Sequence, residues 1–323
     1  RENATLFMVC REEELGIVLS TMQQVEDQFN KNYHYPWVLL NNVEFSETFR
    51  HQTRTLTHAH VYYGIIPPDV WDQPAWIDAS RAESSRKLGK AMHIPYGGFF
   101  YQHPLLQNYK YAWRVDPGTK YTCTLLDDPF AVMSRGNKTH GFVLVSKEEY
   151  HTGPTFWEHV YDFLAENPSL RARDNFMKFI SEDGGDSYNF CRYRGSFIVT
   201  DMDFWRGDVF QSFFEYLDRK GGFYYERWSD EIVQTVALSL FASPDKVHFF
   251  DDVGFMTERL GIEHCPENVD VRVAGQCWCL PDTEFLRAFV SDPSSRQSDT
   301  FSFAAEDRES CFPRWRSALL ELE

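Results

Sequence analysis

The stretch ATLFMVCREEELGIVLSTMQQVEDQFNKNYHYPWVLL, from Ala4 to Leu40, decides the fold class. Its opening, ATLFMVCR (Ala4 to Arg11), reads as a buried strand. From Glu12 the period changes, because Leu15, Val18, Leu19, Met22, Val25 and Phe29 recur at helical spacing. WVLL (Trp37 to Leu40) reads as a second strand. Working outward, a polar segment with Glu47 and Arg50 separates it from a third strand, HVYYGII (His60 to Ile66), so the order is β, α, β, α, β. Later strands are expected at Trp113 to Val115, Phe142 to Val145, Ser196 to Val199 and Val247 to Phe250. Helix-like runs cover Thr155 to Ala165, Asp208 to Asp218 and Glu231 to about Leu240. Short strands alternating with amphipathic helices argue one α/β domain over residues 1–323, built on a mostly parallel sheet.

Composition narrows the class of ligand. An apolar fraction of 43%, an aromatic fraction of 16% and a charged fraction of 25% describe a folded globular protein, and the aromatic excess suits flat or sugar-like rings. The formal net charge of −16 speaks against nucleic acid, whose binding depends on Lys and Arg neutralising phosphates. No apolar run is long enough to span a bilayer and no signal peptide stands at the start, but the first residue is Arg, so an anchor or leader removed from the full-length protein is expected. Cys10, Cys123, Cys191, Cys265, Cys277, Cys279 and Cys311 form an odd set, and two sequons begin at Asn3 and Asn137. Together these favour the secretory pathway and disulfides, with Cys10, inside the first strand, as the unpaired thiol.

In parallel α/β sheets, ligands collect at the carboxyl ends of the strands. Arg11 ends the first strand, and Asp116 follows the aromatic run YAWRV in YAWRVDPGTKYTC (Tyr111 to Cys123). A carboxylate there is costly unless a cation meets it, and that cation is either an arginine, the adjacent Arg114 included, or a metal ion. Asp-Pro-Gly is also ordinary turn chemistry, so a purely conformational role stands beside the ligand role. The Pro- and Trp-rich segment from Ile66 onward reads as an ordered loop, and the polar segment 291–310 as a mobile one.

The block GGFYYERWSD (Gly221 to Asp230) gathers stacking faces and ionic groups. Tyr224, Glu226, Arg227, Trp228 and Asp230 are candidate acceptor contacts, while Gly221-Gly222 also suits a helix end and Ser229 or Asp230 a helix cap. His58 and His60 alternate as a solvated strand pair would. A zinc site from Cys265, Cys277, Cys279 and Cys311 lacks the usual spacing, and disulfides are the better reading.

Many of these words resemble those of one family, the fungal Golgi α-1,2-mannosyltransferases of glycosyltransferase family 15. They are ENATLF from Glu2, FNKNYHYPW from Phe29, IPPDVW from Ile66, YGG from Tyr96, HPLL from His103, WRVDP from Trp113, DPF from Asp128, YNFC from Tyr188, DFWRG from Asp203, FFEYLD from Phe213, GGFYYERW from Gly221 and KVHFFDDVG from Lys246. They run in family order from the first residues to about Gly254. The resemblance implies a GT-A-type fold and a type II membrane protein of the Golgi lumen. It also implies a retaining transfer of mannose from GDP-mannose to a mannose hydroxyl of N- or O-linked glycans, with Mn²⁺ as cofactor. It makes Asp116 the metal ligand, where the family normally has Glu, and Arg11 a cation near the donor nucleotide. Asp230 becomes the residue that meets the acceptor hydroxyl and raises its nucleophilicity.

Three departures bear on mechanism. The family stretch expected after Tyr-Gly-Gly is missing beyond Gly98, Ile198 stands where the family's candidate nucleophile, a glutamate, is expected, and Thr257 stands where a metal-binding histidine is expected. Three functional readings follow: retaining α-mannosyl transfer, mannosylphosphate transfer with attack on phosphorus, and a non-catalytic glycan or nucleotide binder.

Overall fold

The computed structural model describes residues 1–87, 100–148, 153–195, 197–226, 228–257, 262–279 and 310–321. Its strands are β1 (Ala4–Val9), β2 (Trp37–Asn41), β3 (Val61–Ile65), β4 (Tyr111–Arg114), β5 (Thr119–Tyr121), β6 (His140–Phe142), β7 (Val145–Lys147), β8 (Cys191–Tyr193), β9 (Ile198–Asp201), β10 (Val247–Phe249), β11 (Phe255–Thr257) and β12 (Ile262–His264). Seven of them form the main sheet in the order β10-β6-β9-β4-β1-β2-β3. β9 runs antiparallel to both neighbours, and the remaining pairs are parallel. This is the mostly parallel α/β sheet that the sequence implied.

β1 is apolar on both faces because it lies between β4 and β2 with packed layers above and below. Phe7, Val38, Ala112 and Phe142 face one layer. Leu6, Met8, Trp37, Leu39, Trp113 and Val199 face the other. The second layer is closed by the helix Leu15–Gln28 through Val18, Met22 and Val25, and by Glu47–Thr55 through Phe49. The first is closed by Phe156–Glu166, Asp208–Lys220 and Asp230–Phe241 through residues such as Val160, Phe213, Ile232 and Val236. Alternation along β4 therefore puts Arg114, two residues beyond Ala112, on the face covered by the Asp230–Phe241 helix.

The apolar run Phe142 to Val145, expected as one strand, is divided between two sheets. β6 ends at Phe142, whose carbonyl accepts from Phe250 N–H (2.8 Å), while the Leu144 carbonyl accepts from Arg194 N–H (2.9 Å) and β7 pairs with β8. Partners on opposite sides claim carbonyls two residues apart. Disulfides join Cys123 to Cys277, Cys191 to Cys311 and Cys265 to Cys279, and Cys10 is the buried free thiol, as expected. The Cys191–Cys311 bridge ties the helix Phe312–Leu320 to β8. Residues 88–99, which include Tyr96-Gly-Gly, and 291–309 of the segment expected to be mobile lie outside the described residues.

His140, in β6, is buried against Tyr193 and Trp205, and neither ring nitrogen has a hydrogen-bond partner among the described residues. Burial alone pushes its pKa down to about 3. The unfolded chain takes up this proton near the ordinary histidine value of about 6.5, so folding is unaffected by it above that pH and loses about 1.4 kcal/mol per pH unit below it. Urea denaturation of the wild type and of His140→Phe, each at about pH 7.5 and about pH 5, should show a smaller acid-induced loss in the variant, by roughly 2 kcal/mol. Equal losses would mean that the imidazole accepts its proton inside the fold.

Candidate active site

The carboxyl end of β4 builds the site. Val115 N–H still donates to the Phe7 carbonyl (2.9 Å), so the ladder with β1 ends just before Asp116. Asp116-Pro117-Gly118 then turns the chain, with Thr119 N–H returning to the Asp116 carbonyl at 3.2 Å. Gly118 sits at φ 88, where a side chain would be strained, and proline before it supplies the Pro-Gly order of a type II turn. The turn is fastened to the helix Leu15–Gln28 by a hydrogen bond from Gly118 N–H to Thr21 Oγ1 (2.9 Å). The conformational reading of Asp116 is thus seen in the turn, and its partly exposed carboxylate is compatible with the ligand reading.

Arg114 joins two carboxylates far apart in the chain. Its Nε donates to Asp116 Oδ1 (2.9 Å), and its Nη1 pairs with Asp230 Oδ2. Burial works against the guanidinium charge, but Asp116 and Asp230 outweigh it and hold the pKa above the ordinary arginine value. Asp230 reaches Arg114 because Ser229, not Asp230, caps the helix: its hydroxyl accepts from Ile232 N–H (3.3 Å). The Asp230 carboxylate is 6% exposed, whereas that of Asp116 is 36% exposed and directs only Oδ1 at Arg114. One carboxylate is therefore the buried anchor, and the other stays partly exposed.

Ile198 lies directly opposite Arg114 on β4 and Phe142 on β6, and it is buried. It shares the face covered by the helix that bears Asp230. An alkyl group is thus what the sheet offers beside the ion pair. Thr257, on β11, pairs with Thr119 on β5, and both hydroxyls are buried without a hydrogen-bond partner among the described residues. Among those residues the one set of three or more ligand-bearing side chains close enough to share an ion is Cys123, Cys277 and Cys279, and these are committed to disulfides. Hard divalent ions can be held by a single protein carboxylate, with their other positions open to phosphate and water. A single exposed carboxylate oxygen suits a hard cation bound in that open fashion.

The other candidates are placed differently from one another. Arg11 follows β1 at the same edge, is largely exposed, and has Glu13 as its ion-pair neighbour at 3.9 Å. Tyr224 is buried against Ile77 and Ala82. Next to it, the Tyr225 hydroxyl accepts from Asp78 N–H (2.8 Å) and the Tyr225 carbonyl from Ser85 Oγ (2.8 Å), so the segment expected as a loop, which instead forms the helices Pro68–Trp71 and Ala79–Lys87, docks on the short helix Gly222–Tyr225. Glu226 accepts from Thr155 Oγ1 (2.8 Å), Thr155 N–H (3.3 Å) and Trp228 Nε1 (2.7 Å). Trp228 is 2% exposed, and its indole lies so close to Gly222 that a Cβ there would meet it at 2.1 Å. The side chains of Tyr224, Glu226 and Trp228 thus brace the segment leading to Asp230. Their density in sequence suits a brace or a ligand contact equally well. Arg227 lies outside the described residues.

The sequence reading overlooked a second charged group beside the first. Arg192 lies 3.1 Å from Glu148 and pairs with Glu231, which in turn is 3.8 Å from Arg194. The alternation Cys-Arg-Tyr-Arg in a strand-like run, together with a glutamate directly after Asp230, was the available signal.

Comparison with known proteins follows the same lines. The family model described as glycolipid 2-alpha-mannosyltransferase matches residues 1–292. Glycolipid 2-alpha-mannosyltransferase 2 of Candida albicans is 39% identical over 295 residues, covering 87% of this chain and 64% of that protein. Alpha-1,2 mannosyltransferase KTR1 of Saccharomyces cerevisiae is 36% identical over 298 residues, covering 88% and 75% of the two chains. Among solved structures, the Mn/GDP form of core-mannan synthase A from Aspergillus fumigatus superposes with a TM-score of 0.80 at 35% identity, over 87% of this chain and 80% of that one. The GDP complex of the mannosyltransferase Ktr4p from S. cerevisiae gives 0.81 at 30% identity, over 87% and 77%. The fold is that of the GT-A-like glycosyltransferases, and the chain belongs to the glycolipid 2-alpha-mannosyltransferase family.

Proposed function

We propose that this protein is a retaining α-mannosyltransferase that moves mannose from GDP-mannose to a mannose hydroxyl of N- or O-linked glycans. The observation that carries the reading is the pair of carboxylates, Asp116 and Asp230, held on one guanidinium at the carboxyl edge of the sheet. Asp116 presents its free oxygen to the divalent ion, Mn²⁺ by analogy with the Mn/GDP form of the Aspergillus relative. That ion, when bound, offsets the charge that builds on the departing diphosphate. Arg11, exposed at the same edge, adds a positive charge on the nucleotide side.

Asp230 accepts a hydrogen bond from the acceptor hydroxyl, orients its oxygen and strengthens it as a nucleophile. Tyr224, Glu226 and Trp228 form the wall behind it. The acceptor oxygen bonds to the anomeric carbon as the bond from that carbon to the diphosphate oxygen breaks, and the hydroxyl proton leaves with the diphosphate. Ile198 cannot form a glycosyl-enzyme bond or stabilise an oxocarbenium ion, so retention comes from attack on the face that GDP leaves. The same isoleucine favours a second reading, mannosylphosphate transfer, because attack on phosphorus needs no carboxylate at that position. Three disulfides support a secretory setting, and the proposal places the chain in the Golgi lumen as part of a type II membrane protein.

Incubation with GDP-mannose, Mn²⁺ and mannobiose should yield a product heavier by one hexose. A gain of hexose plus phosphate selects the second reading, and no product together with no GDP binding by calorimetry leaves a non-catalytic relative. Asp116→Ala should abolish metal-dependent GDP binding; unchanged affinity would make Asp116 a turn residue alone. Arg114→Gln strands the buried Asp230 carboxylate, and its urea stability should fall by about 3–5 kcal/mol. Adding Asp230→Asn should recover most of that loss, and a failure to recover would show that Arg114 acts through other contacts.

A further inference from the structure

We infer that Glu231 is a positioning residue for the transfer reaction: it fixes the rotation of the first turn of the Asp230–Phe241 helix and thereby keeps Asp230 seated on Arg114. The inference rests on the reading of Asp230 as the acceptor contact.

Asp230 and Glu231 are consecutive, so they leave the helix about 100° apart around its axis. They grip different parts of the fold. Asp230 takes Arg114 on β4. Glu231 takes the connection from β8 to β9: its Oε1 accepts from Gly195 N–H (2.7 Å), and its Oε2 pairs with Arg192 Nη1. Gly195 is held so closely that a Cβ there would lie 2.9 Å from Glu231 Oε1. One turn later Thr235 Oγ1 donates to the Glu231 carbonyl (2.6 Å) and accepts from Tyr193 N–H (2.9 Å), which repeats the same attachment.

An ion pair at a single point lets a helix end swing about its axis, and two attachments at different azimuths do not. The side chains of Arg192, Arg194, Glu148 and Glu231 are 10–17% exposed, so water screens their attraction little. A shift at Glu231 therefore reaches Asp230 along the helix, while the Asp116 turn is fastened separately by Gly118 N–H on Thr21 Oγ1. Carboxylates in the first helical turn are further favoured by the helix dipole.

The test compares wild type, Glu231→Gln and Glu231→Ala in the intact chain. Glutamine keeps an oxygen for Gly195 N–H and loses the charge; alanine loses both. With mannobiose as acceptor, Glu231→Ala should raise the acceptor KM about tenfold or more, with glutamine between it and wild type, because small misplacements of a positioning group cost about this much. Affinity for GDP with Mn²⁺, read by calorimetry, should stay within about twofold, since Asp116 is not attached through Glu231. Hydrogen exchange at the Ile232 and Val233 amides should quicken in both variants. A lower melting temperature with unchanged acceptor KM and unchanged exchange, measured where the variants are fully folded, would reduce Glu231 to a structural ion pair and overturn the inference. If the wild type transfers no sugar, the functional reading fails by itself, and the exchange rates still decide whether Glu231 holds the turn.

Discussion

The site depends on one buried electrostatic constraint, the guanidinium of Arg114 held between Asp116 and Asp230. Asp230 is almost without solvent, and a carboxylate in that position persists as an anion only beside a cation. Arg114 is fixed by its place on β4, parallel to β1 and antiparallel to β9, so it is the helix end and the turn that come to it. The triad carries a surplus of one negative charge, and its partly exposed member is Asp116. A chain of net charge −16 thereby concentrates a usable negative group at the strand edge and neutralises the other inside.

The surroundings of this triad are devoted to rigidity. Gly222 admits the Trp228 indole, Trp228 donates to Glu226, and Glu226 fastens the start of the Phe156–Glu166 helix through Thr155. Glu231 closes the other flank through Gly195 and Arg192. Between these two clamps the chain presents Asp230 and buries Ile198, and that pairing gives the proposed chemistry its character. In that proposal the apolar residue removes a covalent route, and the held carboxylate orients an incoming hydroxyl.

Much of the fold was legible in the sequence because its signals are local. Continuous apolar runs marked β1 and β2, helical periodicity marked the Leu15–Gln28 helix, and a cysteine within a buried strand marked the free thiol. The Asp-Pro-Gly turn and its neighbouring arginine were visible too. The division of Phe142 to Val145 between two sheets was not, since four apolar residues look alike whichever strand claims their carbonyls. The contacts of Glu226 were hidden for a related reason: aromatic and ionic groups in close succession suit a ligand or a brace alike, and its partner Thr155 is 71 residues away.

By itself, then, the sequence determined the alternation of buried strands and amphipathic helices, the family words and the carboxylate at the end of β4, all of which follow from neighbours along the chain. Only the tertiary structure decided which charges meet: that Arg114 spans 116 residues to reach Asp230, that Ser229 rather than Asp230 caps its helix, and that Glu231 grips Gly195. The physical reason is that burial makes an ion pair obligatory without naming its partner. The partner is fixed by strand order and register, which no local pattern of residues records.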